Sequence, residues 1–95
     1  MVHPIYKVVN YKIIGPYTIK VGFDDHTHQT IDFKPVLKGE IYKSLNDLSL
    51  FNKVKIDKDV YTLVWSNGAD FDPATLHDWS KYRQELIEMV SKGND

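Results

Sequence analysis

Apolar and polar residues alternate most cleanly over Tyr17–Phe23. Tyr17, Ile19, Val21 and Phe23 share one face, and Thr18, Lys20, Gly22 and Asp24 share the other. A period of two with one wet face predicts a half-buried strand. Ile5–Ile14 is rich in β-branched and aromatic residues and predicts a second strand, although adjacent Val8 and Val9 break its alternation. A bulge, or burial of both faces, accommodates that break. Gly15-Pro16 turns the chain between the two strands. Asp24-Asp25-His26-Thr27 supplies the next turn, because aspartate bonds nearby backbone and tolerates left-handed dihedrals. The return strand, Thr27–Phe33, carries Ile31 and Phe33 on its apolar face. The three strands predict a meander.

The pattern then loosens. Pro35 and Gly39 bracket a connection in which Ile41 and Tyr42 read as a short extended piece. Asn46 or Asp47 caps a single helical turn carrying Leu48 and Phe51, which with Leu45 covers one side of the sheet. Val54–Ile56 reads as a short strand and Asp57-Lys58-Asp59 as a turn. Val60–Trp65 is bulky on both faces, which predicts a central place in the sheet or a place under a helix.

Asn67-Gly68 stops that strand, since both residues accept positive φ. Asp72-Pro73 opens a helix. The carboxylate can cap free N–H groups, and proline suits the first helical position. Leu76, Trp79, Tyr82 or Arg83, Leu86, Ile87 and Val90 recur at helical spacing, and Lys92 and Gly93 supply a basic last turn and a C-cap. The predicted helix spans about 73–92, as one rod or with a kink near Ser80. The expected fold is therefore one α+β domain over residues 1–95. It has a twisted, mostly antiparallel sheet of four to five strands, one short helical turn in the middle connection, and a C-terminal amphipathic helix.

Charge narrows the function classes. Twelve basic and thirteen acidic residues give a formal net charge of −1. That leaves no field to steer a polyanion, so no direct nucleic-acid partner is expected. Lys53, Lys55 and Lys58 are interrupted by Asp57 and Asp59 and read as a solvated edge. There is no cysteine, which removes disulfides, thiolate metal sites and cysteine nucleophiles. No apolar run reaches the length of a membrane span, and Met1-Val2-His3-Pro4 has no signal-peptide pattern. The expected location is cytoplasmic.

Tyr6-Lys7-Val8-Val9, the Phe23–Thr27 turn, Ile31-Asp32-Phe33 and Gly39-Glu40-Ile41-Tyr42 carry a resemblance to a small bacterial domain-of-unknown-function family, numbered 2442. It continues through Leu45–Phe51 and Val54-Lys55-Ile56-Asp57 to its most specific piece, Val64-Trp65-Ser66-Asn67-Gly68-Ala69-Asp70-Phe71 with Pro73 and Leu76. It covers about residues 5–79. Ser66 stands where members usually have proline, and His26 where they usually have glycine. The resemblance implies a compact α+β fold. It also implies an adjacent-gene partner of another small family, numbered 4160, in a two-gene module of the toxin–antitoxin kind. Some relatives carry a helix-turn-helix after this domain. About twenty residues follow Pro73 and are expected to form one helix and not such a DNA reader.

Each candidate chemistry competes with a plainer structural reading. His26 and His28 beside Asp24 and Asp25 could face one metal, but nothing supplies a third or fourth ligand by spacing. Asp70 and Asp72 beside His77 could form an acid–base group, but turn bonding and capping account for both carboxylates. Tyr6, Tyr11 and Tyr17 with neighbouring lysines could stack bases, but half-buried strands carry the same pattern for packing reasons. No phosphate loop or nucleophile elbow is present. The expectation is therefore no catalytic residue, no metal and no cofactor. Interaction is the reading left, with Trp65, Asn67, Asp70, Trp79 and Tyr82 as candidate partner- or ligand-binding residues. Trp79 and Tyr82 lie one turn apart, and whichever lies off the core stripe is the anchor. The alternative is a small-ligand or nucleic-acid-binding module that uses the Trp65–Asp72 region.

Overall fold

The computed structural model describes residues 5–92. Gly93, expected as a C-cap, and the Met1–Pro4 stretch lie outside the described residues. β1 (Val8–Gly15), β2 (Thr18–Phe23) and β3 (His28–Asp32) form an antiparallel meander in the order β1-β2-β3. The register runs Ile13 opposite Ile19, which in turn faces Ile31, so the alternating apolar residues stack across the inner face. The register shifts between Val8 and Asn10, which places a bulge at the Val8-Val9 pair. Residues 5–7, included in the expected first strand, lie outside it.

The expected single sheet is two sheets. β4 (Lys55–Asp57) and β5 (Thr62–Val64) form a separate antiparallel pair. Val60–Trp65 is thus neither fully extended nor central. Tyr61 takes a positive φ of 54°, which ends extended backbone there. Thr62, Leu63 and Trp65 are buried by packing under aromatic side chains and not by strands on both sides. The Val8 amide donates to the Tyr61 carbonyl at 2.9 Å, and the Tyr11 hydroxyl donates to the Val54 carbonyl at 2.8 Å. These two bonds tie the sheets together.

The middle connection is more helical than its sequence suggests. Ile41 and Tyr42 belong to α1 (Gly39–Tyr42), not to an extended piece. Gly39, at a φ of 84°, starts that turn in the left-handed region, where a side chain would be strained. Asp47 caps α2 (Leu48–Phe51), its carboxylate accepting from the Ser49 amide at 3.0 Å. Phe51 is buried as expected, while Leu48 is exposed.

Asp72 caps α3 (Pro73–His77) by accepting from the Ala74 and Thr75 amides. Such a cap stabilises by about 1 kcal/mol. The helix is broken at Asp78, two residues before Ser80, and α4 (Trp79–Lys92) continues the chain. No helix among the described residues is long and apolar enough to cross a membrane. The core collects Phe33, Phe51, Trp65, Phe71 and Trp79 into one aromatic cluster with ring centroids 5.2–6.0 Å apart.

Candidate functional site

The turn after β5 brings Trp65, Asn67 and Asp70 together, as the sequence suggests, but uses two of them to build itself. Trp65 is 3% exposed, and its indole N–H donates to the Phe51 carbonyl at 2.8 Å. The Gly68 amide donates to the Trp65 carbonyl, and the Trp65 amide to the Ala69 carbonyl. Gly68 holds a φ of 92° in this turn. The Asn67 side chain accepts from the Ala69 amide at 3.0 Å and donates to the Ile41 carbonyl and the Ser44 hydroxyl. Asn67 thereby pins the turn to the middle connection. The Tyr42 hydroxyl donates to the Asp70 carbonyl at 2.8 Å, and its ring stacks on Phe71. Burial pushes the Tyr42 hydroxyl above its usual pKa, and the Asp70 carboxylate adds to that shift. Trp65 and Trp79 are therefore core residues, not surface anchors. The Asp70 side chain stays exposed.

Tyr82 is the candidate that reaches a groove on α4. It lines a shallow depression of about 210 Å³ with Thr75, Glu85, Leu86 and Met89. Met89 is 60% exposed there.

A second cluster escaped the sequence reading. His77 does not meet Asp70 or Asp72. Its Nε2 lies 2.7 Å from the Asp25 carboxylate and 3.1 Å from the Thr27 hydroxyl, and its Nδ1 lies 2.9 Å from Asp78. The ring stacks on Tyr6 at 3.6 Å and meets the edge of Phe23. The Gln29 side chain donates to the His77 carbonyl at 2.7 Å, which holds the end of α3 against β3. The Thr27 hydroxyl in turn donates to Asp25. Asp25 and His77 are 52 residues apart, so local spacing gave no signal of the pair.

Carboxylates flank both ring nitrogens, and ionised carboxylates only accept. That arrangement favours the imidazolium over the neutral ring, and the Thr27 hydroxyl donates to Asp25. Burial works against the charged ring, yet the bonds to Asp78 and Asp25 outweigh it and raise the His77 pKa. The Thr27 hydroxyl, followed by His77, holds the Asp25 carboxyl down at about 2, against partial desolvation.

A pH profile follows from these shifts. His77 stabilises the fold fully below its unfolded value near 6.5, and that contribution disappears as pH rises through the higher folded value. Asp25 stabilises the fold above its unfolded value near 3.8, and its contribution disappears as pH falls toward about 2. The cluster contributes most between those two unfolded values. Urea midpoints measured across this range should fall on both sides, and His77→Gln should flatten the alkaline fall. An alkaline fall of unchanged depth in that variant would remove His77 as its source.

The Asp24–His28 hairpin gathers no metal trio. Among the described residues, no three His, Asp or Glu side chains are placed to share one ion. His26 occupies a left-handed φ of 70° at the tip, the conformation glycine adopts at less cost.

A meander, a second two-stranded sheet and a C-terminal helix pair around one aromatic core define a small α+β domain. The family model described as "Protein of unknown function (DUF2442)" matches residues 8–82, and the chain belongs to that family. None of the curated proteins and none of the solved structures compared with the chain matches it.

Proposed function

We propose that the chain is a non-enzymatic, cytoplasmic protein-interaction module. In this reading it is the regulatory or antitoxin-like half of a two-gene pair and docks the small neighbouring protein on the outer side of α4. One observation carries the reading. Tyr82 and Met89 lie two helical turns apart beside the buried stripe of Trp79 and Val90, with Leu86 between them. Tyrosine offers a large, stiff contact, and an exposed methionine adapts to a partner's shape. Glu85 and Thr75 supply a polar rim to the groove.

Co-expression with the adjacent-gene product should yield one complex by size exclusion. Met89→Glu and Tyr82→Ala should each weaken it about 30-fold, the factor that about 2 kcal/mol at an interface anchor represents. Separate elution at micromolar concentration would end the proposal in this form. Unchanged affinity in both variants, with native circular dichroism, would move the interface elsewhere.

A second reading, a small-ligand or nucleic-acid-binding module on the Trp65 side, is supported by a separate groove. It encloses about 570 Å³ and is lined by Tyr11, Asn52, Lys53, Lys55, Trp65 and Ser66, among others. Trp65 is too deeply buried to stack a base, so this reading rests on the lysines and Tyr11.

A further inference from the structure

The connection over residues 34–46 encloses a cleft of about 450 Å³, lined by Lys34, Leu37, Lys38, Glu40, Lys43 and Asn46, with Gly39 at its bend. Its volume lies in the range of small-molecule sites. Three lysines and one glutamate, Glu40, are among its lining residues. Among the described residues, none of the three lysines forms an ion pair. In a chain with near-balanced charge, three unpaired cations around one depression are a local excess that the net charge conceals.

The cleft is also built, and Asn46 is its hub. The Asn46 Nδ2 donates to the Leu37 carbonyl at 2.7 Å and to the Lys43 carbonyl at 2.9 Å, which closes the two ends of the connection on each other. The Tyr17 hydroxyl donates to the Asn46 carbonyl. Lys34 donates to the Asn46 Oδ1, and its ammonium lies 4.7 Å from the centroid of the Tyr17 ring. Lys34 is thereby held in place before any ligand arrives, which reduces the ordering cost of binding. The left-handed Gly39 lets the chain reverse between Lys38 and Lys43. The lysine stems give the cleft an apolar wall, with Leu37 almost wholly buried beneath it.

We propose that this cleft binds a small phosphomonoester with an apolar body, the phosphate meeting Lys34, Lys38 and Lys43 and the body resting along the lysine stems. Lysine binds phosphate as a mobile point charge, and three of them match a dianion. The cleft shares no lining residue with the α4 groove, so the two proposals stand or fall separately.

The test is an amide NMR titration with phenyl phosphate to about 10 mM, the concentration at which a millimolar site saturates. Saturable shifts confined to residues 34–46 are expected. The double variant Lys34→Gln, Lys43→Gln should bind about tenfold or more weakly, the loss expected when about 1.4 kcal/mol of charge contact goes. Its spectrum elsewhere should be unchanged, and raised salt should weaken the wild-type response. Benzyl alcohol should produce no saturable shift, and inorganic phosphate should bind more weakly than phenyl phosphate. Shifts spread over every surface lysine, or an equal response from the double variant, would overturn the site. Equal affinity for inorganic and phenyl phosphate would overturn the part assigned to the apolar wall.

Discussion

Phe33→Ala is expected to cost about 3–5 kcal/mol, the usual range for a buried phenylalanine cut back to alanine. A chain of this size has roughly 5–14 kcal/mol in total, so that loss removes between a fifth and all of the margin. Phe33 is fully buried where the structure's separate pieces converge. Its ring lies 5.9 Å from Phe51 of α2, 6.0 Å from Trp65 after β5, 5.2 Å from Phe71 before α3, and 5.3 Å from Trp79 of α4. Truncation opens a cavity against four aromatic neighbours. These are held by different elements and cannot all collapse into one space. Urea unfolding followed by tryptophan fluorescence would report the loss directly, because Trp65 and Trp79 are neighbours of the cavity. A change under about 1 kcal/mol would mean that the cluster repacks and that Phe33 is not its centre. Phe33→Leu should fall between the two, since leucine refills part of the volume.

The local parts of this fold were legible because local chemistry decides them. Tyr17–Phe23 alternates, and the strand is there from Thr18 onward, Tyr17 belonging to the turn at a φ of 56°. Val8-Val9 breaks the alternation, and the register shifts there. Asp72-Pro73 caps α3 as its chemistry predicts, and at Asn67-Gly68 the turn forms with positive φ at Gly68 alone, Asn67 serving through its side-chain bond to the Ala69 amide. What failed was the inference from burial to sheet position. Val60–Trp65 carries apolar residues on both faces, and such a run suits a strand flanked by strands as well as one lying under a helix. The same burial arises when aromatic side chains from α2, from Phe33 just after β3 and from the α3 entry cover a short hairpin. Periodicity cannot distinguish the two, because it records which residues are buried and not what buries them.

The candidate site shows the same division. Trp65 and Trp79 combine large area with a polar tip, which suits an interface and a core equally well. The Phe51 carbonyl satisfies the Trp65 N–H internally and so assigns that residue to the core. Asn67 was read correctly as turn chemistry, but its donation to Ile41 and Ser44 depends on a connection more than twenty residues upstream. His77 was read beside Asp70 and Asp72 because they are near in sequence. Its actual partner Asp25 arrives through the β2–β3 turn, and Asp78 arrives through the break between α3 and α4. Tyr82 lies beside the core stripe, one turn from Trp79, and it is the half of that pair that remains on the surface.

Thr62→Val should cost about 1–3 kcal/mol although it preserves the side chain's volume, because it strands a buried acceptor. Thr62 is the one buried polar residue among those described, and its hydroxyl donates to the Phe71 carbonyl. That bond fixes where the chain goes after the Asn67-Gly68 turn. Phe71 enters the aromatic cluster, Asp72 follows at the cap of α3, and α3 ends on His77 beside Asp25. Valine fills the same space and offers no donor, so the Phe71 carbonyl loses its partner where little water reaches. Thr62→Ser keeps the donor and loses one methyl, about 0.8 kcal/mol, and should be the milder change. The order distinguishes packing from hydrogen bonding: a packing role makes valine the milder substitution, and a hydrogen-bonding role makes serine so. The bond also predicts an effect at a distance. If it positions the α3 entry, the His77 titration measured by NMR should move toward its ordinary value in Thr62→Val and stay raised in Thr62→Ser. A His77 titration identical in both variants would confine the role of Thr62 to β5.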